Sequence, residues 1–389
     1  MPLFSPSKVT YRGTDHTVVS SPMEGDYTVE ASGIWSYRSS FWGLSPRSVS
    51  NSIFFGTGTG VTPTVGSNAI AIGDGASAGD ECISIGRNST STGSLGFPGI
   101  AIGYACSASE ENTAIGYASY ATGEAYGSVS LGSGLVTTSC TGVVALGRDS
   151  TISNSNYSLI SGGNHSVTGL YNCGLIGSSL SISNTSANLL VGESNYSSNA
   201  ESLLVGFGLY NLGSQNLLVG NAHDASQNCC VVTGEYGDGY ISGAVIHSVG
   251  SHWYGQGYLQ SMKLHLVGFT SNTTPVVLTS TPRVPTATAN NQLQVRLNNS
   301  ITFSGLISAY QSPSVASGGG LSGTIRGRLV NHNGTIRLDS YTQDLFYNPD
   351  GCTLSTSLDQ TFKTLTFTFT GTQTTTYDIM LVLDCVVVI

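Results

Sequence analysis

The stretch NAIAIG at residues 68–73 decides the fold, because it returns along the chain in the same form. CISIG (82–86), GIAIG (99–103), NTAIG (112–116), SVSLG (128–132) and VVALG (143–147) follow it. SLISG (158–162), CGLIG (173–177), NLLVG (188–192), SLLVG (202–206), NLLVG (216–220) and CVVTG (230–234) continue it, and NSIFFG (51–56) precedes it. These thirteen copies close on glycines 13 to 17 residues apart. A unit of that length repeated so often means a solenoid in which each copy is one coil. A second short strand follows each glycine, as at Ala76–Ala78, Ser119–Ala121, Ser150–Ile152 and Leu180–Ile182. Then comes a corner residue that tolerates φ > 0: Gly79, Gly93, Gly123, Asn154, Gly169, Asn184, Asn199 or Gly213. Two strands and two tight turns in so few residues make a flattened β-roll rather than a three-faced helix.

The first strand is apolar on both faces. Residues one and three before the glycine point one way, as Ile70 and Ile72 do, and the residue two before points the other. That middle position is small in Ala71, Ser84, Ala101, Ala114, Ser130 and Ala145, and large from Ile160 through Leu175, Leu190, Leu204, Leu218 and Val232. A strand buried on both faces needs two cores. One is the interior of the roll. The other is expected to be a neighbouring chain, and three rolls around one axis are the simplest arrangement. Ile72, Ile85, Ile102, Ile115, Leu175, Leu190, Leu204 and Leu218 are the side chains expected to form the trimer and solenoid core. The small-to-large change near residue 160 is expected to mark a change in how the rolls pack, and Asp at Leu190 or Leu204 to block assembly.

NAIAIG, GIAIG and NTAIGYASYATG (112–123) resemble the head repeats of trimeric YadA-like adhesins over residues 51–236. The resemblance implies a trimeric left-handed parallel β-roll. Those adhesins also carry a secretion signal, heptads and a membrane anchor, none of which is readable here. The same roll occurs in phage fibres, which need none of those parts.

Composition narrows the function. Charged residues are 9% and apolar residues 39%, so the chain is too apolar and too little charged for a disordered one. The net charge of −9, with Lys occurring three times and no basic run, argues against nucleic acid as a partner. The start, MPLFSPSKVTYRG, has no basic segment followed by an apolar one, and no run reaches the ~18 apolar residues of a membrane helix. Synthesis in a cytosol without membrane insertion is expected. The eight Cys have no CxxC pair or zinc-finger spacing and read as small buried side chains. No cofactor is expected.

The flanks differ from the repeat. Residues 1–50 hold Trp35, Trp42, Tyr11, Tyr27, Tyr37 and Phe41, and read as a small β-rich cap or an attachment segment that grips a virion tail or capsid protein. Residues 237–250 read as a neck. In 251–389, longer alternating strands are expected at Tyr258–Val267, Val276–Leu278, Gln292–Leu297, Ile301–Tyr310, Gly323–Val330, Thr335–Asp339, Phe362–Thr370 and Tyr377–Val388. Turn clusters such as NNS, SGGG, NHNG and NPDG separate them, the pattern of an antiparallel β-sandwich. GQGYLQS (255–261), TSNTTPVVLT (270–279), ITFSGLISAY (301–310), SGTIRGRLVN (322–331) and the closing LTFTFTG with YDIMLVLDCVVV resemble, in that order, the C-terminal heads of phage tail fibres. The expected fold class is all-β: a trimeric parallel β-roll shaft with a C-terminal antiparallel β-sandwich head.

The chemistry readable in the sequence favours binding. Glycoside cleavage needs two carboxyls facing across the bond. Asp80/Glu81, Glu110/Glu111, Glu193/Glu201, Asp339/Asp344 and Asp350/Asp359 are pairs in sequence only, and no hydrolase motif appears. The chain is therefore expected not to be an enzyme, with a glycan depolymerase as the alternative. His165 and His223, each three residues after a repeat glycine, would form rings of three in a trimer, able to hold an ion only if they faced its axis. Glycan binding needs aromatic platforms on exposed loops. The segments 309–322 and 340–352 are expected to be such loops, with Tyr310, Tyr341, Phe346, Tyr347 and Asp350 as ligand residues and Trp253, Tyr254 and Tyr258 as a second group. The expected function is a homotrimeric phage fibre, located on the virion and most simply its tail, which attaches to a host polysaccharide or protein through its head. A purely structural virion fibre is the other alternative.

Overall fold

The computed structural model describes residues 68–93, 96–123, 126–183, 185–249, 260–270, 273–280, 291–311, 320–372 and 376–388, and the backbone alone of 27–30, 33–38, 41–43 and 53–55. It divides into two compact units, Met1–Asn184 and Thr185–Ile389. Every regular element of useful length among the described residues is a strand.

In the first unit the apolar runs are parallel strands, among them Ile100–Tyr104, Thr113–Tyr117, Val129–Ser133, Val144–Arg148, Leu159–Gly163 and Gly174–Ser178. They pair in register, which puts Gly103, Gly116, Gly132, Gly147, Gly162 and Gly177 in one column. The second strands, such as Tyr120–Thr122, Thr151–Ser153 and Ser166–Thr168, form their own parallel ladder. The chain is thus a parallel β-solenoid here. Before it, Tyr27–Glu30, Gly33–Arg38 and Phe41–Gly43 make a three-stranded antiparallel sheet. The aromatic side chains of residues 1–50 lie outside the described residues.

The residue two before the closing glycine faces the interior of its own roll. Ala71, Ala101, Ala114, Ala145, Ile160, Leu175, Leu190, Leu204, Leu218 and Val232 are all buried. This corrects the expectation that the small-to-large change reports packing between rolls. Each such residue has an interior counterpart seven residues on, in the second strand. The pairs run Ala71 with Ala78 and Ala114 with Ala121, then Ile160 with Val167 and Leu175 with Ile182, then Leu204 with Asn211 and Leu218 with Ala225. The size change therefore lies inside the roll, whose filling grows from Ala on Ala to Ile on Val and Leu on Ile and then becomes uneven with Leu on Asn or Ala. Ser130 and Thr137 show the same pairing with hydroxyls, 2.9 Å apart.

The other first-strand side chains point outward. Of the eight residues expected in the core, Leu175, Leu190, Leu204 and Leu218 are inside, whereas Ile72, Ile85, Ile102 and Ile115 are half-buried on the outer face. Leu159, Ile176, Leu189, Leu203 and Val219 on that face are exposed, at 36–43%. The corners also differ from expectation. Gly123, Asn154 and Gly169 have positive φ, but Gly79, Gly93, Asn199 and Gly213 do not, and Asn184 lies outside the described residues. The recurrent left-handed corner is instead two residues after the closing glycine, where Ala105, Ala118, Asp149, Asn164, Ala222 and Tyr236 adopt it.

Polar side chains inside the roll bond the corner amides of the next coil. Asn112 Oδ1 accepts from the Ser128 N–H, Ser158 Oγ from Cys173, and Asn188 Oδ1 from Ser202. His165 and His223 belong to this set, and neither reaches the surface. Nδ1 of His165 accepts the Leu180 N–H at 3.2 Å and its Nε2–H donates to the Ser161 carbonyl at 3.3 Å. His223 is held the same way by the Gly237 N–H at 2.9 Å and the Val219 carbonyl at 3.0 Å. Asn195 makes the same two bonds at the same place in its own coil, to Leu209 N–H and Val191 O. Burial pushes both imidazole pKa values below the ordinary 6.5. A lowered folded-state pKa stabilises fully above the unfolded value and loses that stability as pH falls below it. The contribution of the two histidines to stability should therefore drop as pH falls from about 7 to 5. The double variant His165→Asn, His223→Asn should flatten that drop in a calorimetric pH series, because Asn keeps both bonds and does not titrate. An equally steep drop in the variant would refute the assignment.

In the second unit, Leu189–Glu193, Leu203–Phe207, Leu217–Asn221, Val231–Glu235 and Val245–Val249 form the parallel ladder, one strand beyond the last repeat glycine. Val245–Val249 then pairs antiparallel with Gln260–Thr270. From there the sheet runs through Tyr377–Val388, Ser300–Gln311, Gly320–His332 and Thr335–Tyr347, all antiparallel. A smaller sheet has Thr364–Thr370 between Thr353–Asp359 on one side and Val276–Val277 and Leu293–Gln294 on the other. The buried faces of the two sheets meet, with Phe303 edge-on to Phe367 at 6.2 Å.

Candidate functional site

The segment 340–352 is not the expected loop. The strand Thr335–Tyr347 runs through most of it, and only its last residues turn. A bulge hides this in the sequence: Arg328 pairs with Asp339 but Arg326 with Thr342, and Ser340 has φ 55°. Tyr341 is half-buried; its hydroxyl donates to Gln343 Oε1 at 2.9 Å, and burial raises its pKa. Phe346 and Tyr347 are exposed near the end of this edge strand. Asp350 accepts the Tyr377 hydroxyl at 3.1 Å, so it holds a turn. Tyr310 stands apart from them, beside Phe269, Asp378 and Met380 around a cavity of about 480 Å³. The structure therefore does not gather the proposed aromatics into one platform. Trp253, Tyr254, Tyr258 and residues 312–319 lie outside the described residues.

Several of the acids paired in sequence have local duties. Glu81 Oε2 accepts the Gly96 N–H, Glu201 accepts from Gln215, Asp339 pairs with Arg337 at 3.3 Å, and Asp359 accepts the Thr361 and Phe362 amides. Two carboxyls not singled out by the sequence do sit together. Asp224 and Asp238 are in register on successive coils. Asp238 is buried against Arg296, which also lies over the Tyr240 ring at 4.6 Å. Desolvation pushes Asp238 up to about 6, with Arg296 opposing.

No protein-family model and no curated protein matches this chain.

A groove of about 1000 Å³ lies on the outer face of the long sheet in the second unit. Strand register builds it. Lys263 lies opposite Asp384, Asp384 opposite Ser304, and Ser304 opposite Arg326, one row across four strands. The next row is Ser261, Val386, Thr302 and Arg328. Alternation sends Leu264, Leu383, Phe303 and Ile325 into the sandwich and leaves these neighbours outside. Arg326 Nε donates to Thr342 Oγ1 at 2.9 Å, and Arg328 Nη2 donates to Ser300 Oγ at 3.3 Å. Lys263 is 3.5 Å from Asp384, but both are more than half exposed, so their attraction is largely screened. The sequence reading missed this site because Lys263 is over sixty residues from the RGR of 326–328. Only the strand order 260–270, 377–388, 300–311, 320–332 brings them together. Among the described residues no cluster of metal-ligating side chains occurs.

Proposed function

We propose that this chain is a homotrimeric phage fibre that attaches a virion to its host by non-catalytic, multivalent binding of cell-surface glycan through the C-terminal head. The observation that carries the reading is the outward apolar column of the solenoid's first strands, exemplified by Leu189, Leu203 and Val219. Exposed apolar side chains repeated along a regular ladder call for a partner surface, and identical ladders on copies of the chain supply one. Three copies on one stalk would turn weak single-site contacts into firm attachment, since later contacts form at high effective concentration. The resemblance of the repeats and of the head to phage-fibre segments supports the same reading, as does a head with an open groove. The test is sedimentation equilibrium of the purified chain, together with its retention on a panel of bacterial envelope polysaccharides. A trimer mass with retention by at least one polysaccharide is expected. A monomer, or a trimer that no polysaccharide retains and that releases no oligosaccharide, would reject attachment. Release of oligosaccharide would instead favour the depolymerase.

A further inference from the structure

The groove on the outer sheet face has a chemistry of its own. The chain has 13 Lys and Arg against 22 Asp and Glu, yet three cations, Lys263, Arg326 and Arg328, line this one concavity with a single acid, Asp384. Asp384 has Lys263 as its ion-pair partner, and Asp339, across from Arg328 in the ladder, has Arg337. Among the described residues neither Arg326 nor Arg328 has a carboxylate within ion-pair distance. Each guanidinium is instead steadied by one hydroxyl, from Thr342 or Ser300. One N–H is engaged and the others remain for a ligand, the preorganised fork that suits a carboxylate held through two bonds. Around them the wall alternates hydroxyls and aliphatic carbon: Ser304 and Thr302 beside Val245 and Val386. Sugar rings present the same mixture, with hydroxyls at their rims and C–H on their faces. The volume accommodates several rings.

We propose that this groove binds an acidic saccharide, with Arg326 and Arg328 holding its carboxylate groups and Val245 and Val386 packing against the rings. The proposal rests on the attachment function above and names the class of glycan. It moves the ligand site from the aromatic side chains Tyr310, Phe346 and Tyr347 to the sheet face. Binding of this kind weakens with salt, because the ligand's charges are met near the surface.

The test uses the full chain and two probes, an oligogalacturonide and its fully methyl-esterified form, by titration calorimetry at low and high NaCl. The free acid is expected to bind, more weakly in high salt, and the ester to bind about tenfold less tightly or not at all. Arg326→Gln and Arg328→Gln, both on an exposed face, should each weaken the acid about tenfold while leaving melting unchanged. Equal binding of acid and ester, no binding of either, or full binding by both variants would overturn the proposal. If the variants instead lose self-association in sedimentation, the groove is filled by another copy and the proposal falls. Retention of the parent chain on envelope polysaccharide separates the two levels. If retention persists in a chain carrying both Arg326→Gln and Arg328→Gln, this site is wrong and the attachment function stands. If the parent chain is not retained, the attachment function itself is wrong.

Discussion

Leu204→Asp is expected to unfold the coils around it, whereas Leu203→Asp next to it is expected to leave them folded. The two residues are neighbours on one strand, Leu203–Phe207, and differ in which face they occupy. Leu204 is fully buried and Leu203 is 36% exposed. Removing a buried leucine costs about 2–5 kcal/mol. A carboxylate in its place adds a desolvation cost of several kcal/mol, because no Lys or Arg is buried among the described residues. Among the residues nearest across the roll, Asn211 has its amide engaged with Ser197 and Ser202. The total exceeds about 5 kcal/mol, comparable to the whole stability of many domains. At Leu203 the same carboxylate stays hydrated, and the cost to the fold is within about 0.5 kcal/mol. If copies of the chain pack on the outer face, Leu203→Asp should nonetheless dissociate them. Circular dichroism melting reads the first effect and sedimentation the second. A Leu204→Asp protein that melts like the parent would refute the inward orientation. A Leu203→Asp protein that remains trimeric would remove the outer apolar column as the interface.

This pair also shows where the sequence stops being readable. The repeat, its parallel coils and the alternation of the first strand follow from apolar residues at fixed distances before a glycine. Which side of that strand is inside does not follow, because both sides are apolar. The deciding partner is the second strand, whose interior residues are as unlike as Ala78, Thr137, Ile152 and Asn211. A strand of two or three residues gives no periodicity to recognise. In the C-terminal antiparallel sheets, the inward residues of Gln260–Thr270 and Tyr377–Val388 alternate cleanly, which makes those strands legible. Of the strand Thr335–Tyr347 the sequence predicts only Thr335–Asp339, because the bulge at Ser340 shifts the alternation. The groove was the least legible feature. Its cations lie on two strands with two others between them, and each is unremarkable in its own segment. Pairing order across a sheet is a long-range property that local pattern does not encode.

Gly206→Ala is expected to be among the most damaging single-methyl additions in the shaft, and Gly208→Ala among the mildest. Both glycines have positive φ, +146° and +64°. Their surroundings separate them. A Cβ on Gly206 would lie 1.8 Å from the carbonyl oxygen of Gly220 and 2.8 Å from its carbon. That oxygen belongs to the next coil, in register through the ladder, and cannot withdraw without breaking the pairing of Leu203–Phe207 with Leu217–Asn221. The φ itself lies outside what an L-residue adopts cheaply, so strain adds to collision. The column of closing glycines is therefore required by contact between coils as well as by conformation. At Gly208 a Cβ meets nothing closer than 3.9 Å. Ala105, Ala118 and Ala222 already occupy the equivalent corner at φ 52°, 48° and 54°. The cost there is about 1 kcal/mol of left-handed strain, offset in part by reduced freedom of the unfolded chain. For Gly206→Ala the loss should exceed about 3 kcal/mol, a fall in melting temperature on the order of 10 °C. Gly208→Ala should shift it by no more than a few degrees, about 2–4 °C per kcal/mol. Parallel thermal melts of the two variants decide the matter. Equal shifts would mean that the glycine column is set by turn conformation alone and that the close approach of successive coils is not needed.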